Sequence, residues 1–207
     1  MSTRSILAFV ALALAPACGG SSTSGTVVIE DDPVDDTVAE GHARGDALAD
    51  QTFDELVGAD YDLQLAMTAS ILASLNDGEV NEADFAAQVV VDDDVFAFAN
   101  DMIIDHEDAN AELDSVVRFY GVGYAPSFTA DDLAAQSSAD IGVIRGSADP
   151  DFDYIEIQVV NHAAAQVLLD ELYSIVGDGE MGDYIQSTMD MVDDHLAGAE
   201  GILATFY

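Results

Sequence analysis

The 207-residue sequence predicts an all-α domain built as an up-down-up-down four-helix bundle, and three observations carry that prediction. Four long stretches place apolar residues three and four positions apart, the spacing that lines one face of an α-helix. Short Asp-rich or Gly-rich runs separate the first stretch from the second and the third from the fourth, so each pair must fold back on itself. Once a leader and a linker are set aside, the length suits one domain with a moderate core, and a bundle buries four such faces together.

The first predicted helix starts near Asp60 and carries Leu65, Thr68, Leu72, Leu75, Glu79, Glu82, Ala86 and Val89 along one stripe. Gly78 sits mid-run at a cost of about 1 kcal/mol relative to Ala, which weakens the helix there. Val91-Asp92-Asp93-Asp94 closes this helix and supplies the N-cap and first-turn acids of the second, which runs from about Asp94 to Tyr120. The second stripe is Phe96, Ala99, Ile103, His106, Asn110, Leu113, Val117 and Tyr120, and Gly121-Val122-Gly123 ends it. From Tyr124 to Pro150 the chain is long for a bundle loop and holds a short helical pattern at Ala130 to Ala139, which reads as a crossover. The third helix begins near Asp151 with Ile155, Val159, His162, Gln166, Leu169, Tyr173 and Val176 inward, and stops at Gly177-Asp178-Gly179. The fourth buries Ile185, Thr188, Val192, His195, Ala199, Ile202 and Phe206.

Ahead of the bundle, residues 1–17 read as an export signal: Arg4, the apolar run from Ile6 to Ala15, then Pro16 and Ala17 before Cys18. The run is too short to be a permanent membrane span. Leu14-Ala15-Pro16-Ala17-Cys18 resembles a bacterial lipoprotein signal, which implies cleavage before Cys18 and lipidation of its thiol; the alternative is an ordinary secretory signal with a stray thiol. Lipidated Cys18 would hold the protein to a bacterial membrane of the cell envelope, at the periplasm or outer membrane, without a transmembrane helix. Cys18 is the only cysteine, so no intramolecular disulfide or thiolate metal cluster can form. Residues 18–58, first rich in Gly, Ser and Thr and then acidic, read as a disordered tether, with His42 in solvent and the bundle domain occupying 59–207.

The composition has 41 Asp plus Glu against four Arg and no Lys, a formal net charge of −37. Such a surface repels phosphate backbones, so nucleic acid is excluded as a partner. It suits a salty medium, where screening shortens the reach of self-repulsion, or else collects cations.

Three of the four predicted stripes carry a histidine where an aliphatic residue would pack better, and the remaining stripe carries Glu79. In antiparallel helices joined by a tight turn, residues symmetric about the turn sit at one level. The midpoint of Glu79 and His106 falls within Asp92-Asp93, and that of His162 and His195 within Gly177-Asp178-Gly179. Across the crossover the depths of His106 and His162 differ by a few residues, or about 4 to 5 Å of rise. Glu79, His106, His162 and His195 are therefore expected in one layer of the core. Three imidazoles and a carboxylate suit one divalent transition metal (Zn, Fe, Cu or Mn). Glu82 would be an additional ligand, and Asn110 and Gln166 would orient imidazole protons. The competing expectation is a structural hydrogen-bond network of the same side chains that specifies bundle register.

Asn76-Asp77-Gly78-Glu79, the phrase from Phe98 to His106, Phe152-Asp153-Tyr154-Ile155, His162, and His195-Leu196 with Ala199 resemble a bacterial exported family catalogued as domain of unknown function 4142, over about Tyr61 to Phe206. The resemblance implies a ferritin-like four-helix fold, a predicted outer-membrane protein and no established activity. Di-iron sites of such folds draw a Glu-x-x-His pair from each of two helices. Here the residues three before the histidines are Ile103, Val159 and Val192, so a single ion is the most this core holds in that style. No Ser-His-Asp spacing, phosphate loop or cofactor fingerprint appears, and no catalytic residue is assigned. Three functions remain: a non-enzymatic or weakly enzymatic metal-binding envelope protein, a structural, interaction or stress-response protein of the envelope, and an oxidase or hydrolase that uses the metal, which would need an open coordination position and a channel.

Overall fold

The computed structural model describes residues 32–207, all within one compact unit; the leader, Cys18 and the start of the tether lie outside them. Among the described residues the fold is all-helical, with six long helices rather than the four expected: α1 (Pro33–Leu56), α2 (Tyr61–Ala86), α3 (Asp93–Tyr120), α4 (Phe128–Gly146), α5 (Pro150–Val176) and α6 (Glu180–Leu203), followed by a 3₁₀ turn at Ala204–Phe206. None of them is long and apolar enough to cross a membrane.

The expected tether is corrected by α1. Its buried face is Thr37, Gly41, Gly45, Thr52 and Leu56, so small residues take the place of an apolar stripe. Their size is the reason the helix packs. A Cβ on Gly41 would lie 2.6 Å from both the Val160 carbonyl oxygen and Ala163 Cβ, and one on Gly45 would lie 2.7 Å from the Ala164 oxygen. The two glycines let α1 lie backbone to backbone along α5 in parallel sense, an approach that any side chain would prevent. Asp32 caps its first turn, accepting from the Val34 amide at 3.0 Å.

The crossover is likewise a full helix. Ser127 caps α4 through the Ala130 amide, and Glu55 from α1 accepts hydrogen bonds from the Phe128 and Thr129 amides. Gly78 does not break α2. It lies where Ser137 of α4 comes close enough to donate to its carbonyl at 3.1 Å, with no Cβ in the way.

The expected stripes of α2, α5 and α6 point largely inward, with Gln166 and Tyr173 of α5 only half-buried, while α3 is rotated slightly at its start: Phe96 is half-exposed, and Val95, Phe98 and Met102 are buried instead. Each turn is capped as its sequence demands. Asp92 accepts from the Asp94 and Val95 amides, Gly121 closes α3 at φ 68°, and Gly177 and Gly179 take φ 69° and 129° between α5 and α6. The Asp151 carboxylate accepts from the Val91 and Asp92 amides at 2.9 and 2.8 Å, fastening the α2–α3 turn to the start of α5. The helices α2, α3, α5 and α6 thus surround a core whose polar middle layer separates two apolar clusters, while α1 covers α5 and α4 covers α2.

Candidate metal centre

The middle of the core holds two adjoining groups of polar side chains. The first is a triangle of imidazoles, His106 from α3, His162 from α5 and His195 from α6. Their ring centroids are 6.1 Å (His106 to His162), 5.4 Å (His106 to His195) and 5.4 Å (His162 to His195) apart. One ligand nitrogen of each lies within 4.8 Å of the others. His106 and His162 are sealed from solvent and His195 nearly so, with the Phe98 ring edge-on against it.

The hydrogen bonds around the triangle decide which nitrogens carry protons. His106 Nδ1 donates to Asn76 Oδ1 at 3.0 Å. That amide is oriented from outside: Asn76 Nδ2 donates to Asn110 Oδ1 and to the Tyr184 hydroxyl, and Asn110 Nδ2 donates to the Asp77 carboxylate at 2.8 Å. A carboxylate accepts only, so the polarity of the whole chain runs from Asp77 inward and makes His106 Nδ1 the protonated nitrogen. His162 Nδ1 donates to the Gln158 carbonyl at 2.9 Å, and His195 Nε2 donates to Asp105 Oδ2 at 2.9 Å. What remains is Nε2 of His106, Nε2 of His162 and Nδ1 of His195, and all three are buried without a hydrogen-bond partner.

Burial, reinforced by the neighbouring imidazoles, holds His106 well below the usual histidine range and takes His162 down to about 3. Both rings are therefore neutral at physiological pH, and the triangle presents three lone pairs. Leaving several buried acceptors unmatched costs on the order of several kcal/mol, which a shared cation would recover. The donor set fits one. A tetrahedral ion with bonds of about 2.0 to 2.1 Å holds its ligands roughly 3.3 Å apart, so side-chain shifts on the order of an ångström close the triangle around it.

The second group contains Glu79, which does not belong to the histidine triangle. It shares with Glu82 the wall of a cavity of about 30 Å³ that is also lined by Arg44 and Asn161, and Asp140 is close enough for its charge to act on both carboxyls. Glu82 accepts from Gln158 Nε2 at 3.1 Å and Asn161 Nδ2 at 3.0 Å, and Arg44 of α1 donates to Asn161 Oδ1 at 2.7 Å. Burial pushes Glu79 up to about 7 and Glu82 well above the carboxylate range, with Asp140 adding to both and Arg44 opposing. Gln158 joins the two groups, its carbonyl holding His162 and its side-chain amide holding Glu82.

The three histidines thus meet at one level, as their symmetry about the turns predicts, but their surroundings differ from the expected set. Glu79 sits at the expected depth with its carboxylate turned toward α4 and α1, whose packing the four stripes do not reveal. Glu82 contacts amides and no imidazole. Gln166 contacts His42 and Asp193 on the exposed side of α5. Asn110 acts one residue removed from His106, through Asn76. The residues that touch the imidazoles, Asn76, Asp105 and the Gln158 carbonyl, stand outside the expected ligand set; the available signal for Asn76 is its place one turn before Glu79 on the same buried face.

The family model of domain of unknown function DUF4142 matches residues 58–202, the span that contains the histidine triangle and the carboxylates Glu79, Glu82 and Asp140. The chain belongs to this family. No curated protein and no solved structure matches it. The DUF4142 match begins just after α1, so the helix that brings Arg44 to the carboxylate group lies outside the family span.

Proposed function

We propose that this protein binds one divalent transition-metal ion through His106, His162 and His195, as an exported, lipid-anchored protein of the cell envelope. The observation that carries the reading is the set of three buried, unpartnered imidazole nitrogens whose opposite nitrogens are each committed to an acceptor. A purely structural network would satisfy both nitrogens of each buried ring, whereas here one nitrogen of each is left without a partner, and that favours metal binding over the structural reading. An acceptor behind each ring is the usual arrangement around metal-bound histidine, where it fixes the tautomer and raises ligand basicity. Neutral imidazole donors suit zinc, copper and iron better than manganese, which prefers oxygen. Three protein ligands leave a coordination position free, so chemistry at the ion is open to this site in principle. We further propose that α2, α3, α5 and α6 constitute a ferritin-like four-helix core, with the cation held in its middle layer in place of a di-iron cluster, and that export and the anchor follow from the leader and Cys18.

Elemental analysis and Co²⁺ or Zn²⁺ titration of the purified protein should give one ion per chain. The His106→Ala, His162→Ala double variant should bind at least a hundredfold more weakly, and metal should raise the melting temperature of the parent only. Equal and negligible metal in the two proteins sinks the reading.

A further inference from the structure

The three histidines are not equally sealed. His106 and His162 are 0% and 1% exposed, whereas His195 keeps 8% of its surface. That remaining surface opens on a groove between α3 and α6 of about 340 Å³, whose walls include Asp105, Asp108, Glu112 and Asp194 beside His195 and contain no arginine or lysine. The chamber beside Glu79 and the grooves flanking α2 have none of the three histidines in their walls. α3 also packs on α6 less extensively than α2 on α3 or α5 on α6, and whereas α1 packs on α5 and α4 on α2, neither packs extensively on the α3–α6 seam.

We propose that the α3–α6 groove is the path by which a divalent transition-metal ion enters and leaves the histidine site, its carboxylates drawing in the hydrated cation and the Asp105–His195 pair forming the inner gate. The inference rests on the metal-site reading above. His195 spans the boundary: its outer nitrogen donates to Asp105, whose side chain is half-exposed, while its inner nitrogen is buried and unpartnered within the triangle. A cation reaching Asp105 can therefore exchange water for carboxylate oxygen before it meets the first imidazole. Carboxylates that share a cleft focus their field and raise cation association rates by roughly 10- to 1,000-fold at low ionic strength, an effect that salt screens.

Stopped-flow uptake and release of Co²⁺ by the full chain tests the route. Ala109 lies half-buried in the groove wall, and Ala109→Trp should fill the passage, slowing uptake and release together by about tenfold or more and leaving the equilibrium constant within about threefold. The Asp108→Asn, Glu112→Gln, Asp194→Asn variant should take up metal about tenfold more slowly at low salt, with the difference vanishing near 1 M salt. Asp46→Asn, Asp50→Asn, Asp54→Asn on the exposed face of α1 removes the same charge elsewhere and should change uptake less than about twofold. Unchanged rates in the Trp variant, or equal slowing by the two charge variants, overturn the route while leaving the site intact. Failure of the parent to bind Co²⁺ at equilibrium overturns the site and the route together.

Discussion

His195 is wired differently from its two partners, and that difference is measurable. Asn76 and the Gln158 carbonyl take the Nδ1 protons of His106 and His162, whereas Asp105 takes the Nε2 proton of His195. Long-range ¹H–¹⁵N spectra of the metal-free protein should accordingly show the Nδ1–H tautomer for His106 and His162 and the Nε2–H tautomer for His195. Finding one tautomer common to all three would remove the argument that three lone pairs converge. The residues that impose these tautomers cannot be read from spacing. Periodicity places a side chain on a face and at a depth, which suffices for the three histidines, but Asp105 lies outside the inward stripe of α3 and reaches His195 sideways across the seam. Glu79 shows the complementary failure. Its depth is legible, yet its direction depends on α4 and α1, which supply Asp140 and Arg44.

At the level of elements, α2, α3, α5 and α6 are legible because their buried faces are made of Leu, Ile, Val and Met, and their ends of Asp, Pro and Gly in capping positions. α1 is not, because helix packing at close range selects residues for smallness, and a face of Gly and Thr has no apolar periodicity to detect. The same feature predicts two glycine substitutions of opposite sign. Gly41→Ala places a Cβ into the α5 backbone, with its nearest neighbours at 2.6 Å, and should destabilise the fold by about 1 to 3 kcal/mol as α1 is pushed away. Gly142→Ala, on the exposed face of α4 toward its C-terminal end, meets nothing within 4 Å and should stabilise by about 0.5 to 1 kcal/mol through helix propensity. Urea unfolding of both variants checks the pair. A neutral result at Gly41 would mean that the two helices are not in backbone contact.

For the whole molecule, pH acts against itself. His106 and His162 are held neutral by burial, so their contribution to stability is present above the ordinary histidine value of about 6.5 and is lost as pH falls below it, for His162 down to about 3. Glu79 runs the other way. Its folded value of about 7 lies above the ordinary 4.5, so its contribution is fully present below 4.5 and is lost as pH rises through 7, where a carboxylate beside Glu82 and Asp140 must ionise in the core. Between about 4.5 and 6.5 the two slopes oppose, which flattens the stability of the metal-free protein across that window. Glu79→Gln separates them, because a neutral amide of the same shape keeps the packing and removes the proton. Its advantage over the parent should be under about 1 kcal/mol at pH 5 and grow to about 3 kcal/mol by pH 8, since each tenfold change in proton affinity between folded and unfolded chains is worth roughly 1.4 kcal/mol. Denaturant unfolding at both pH values in 1 M salt, where the surface carboxylates are screened, measures the difference. Parallel pH curves for the two proteins would show that Glu79 is already ionised in the core, and that the Arg44 guanidinium compensates its charge in full.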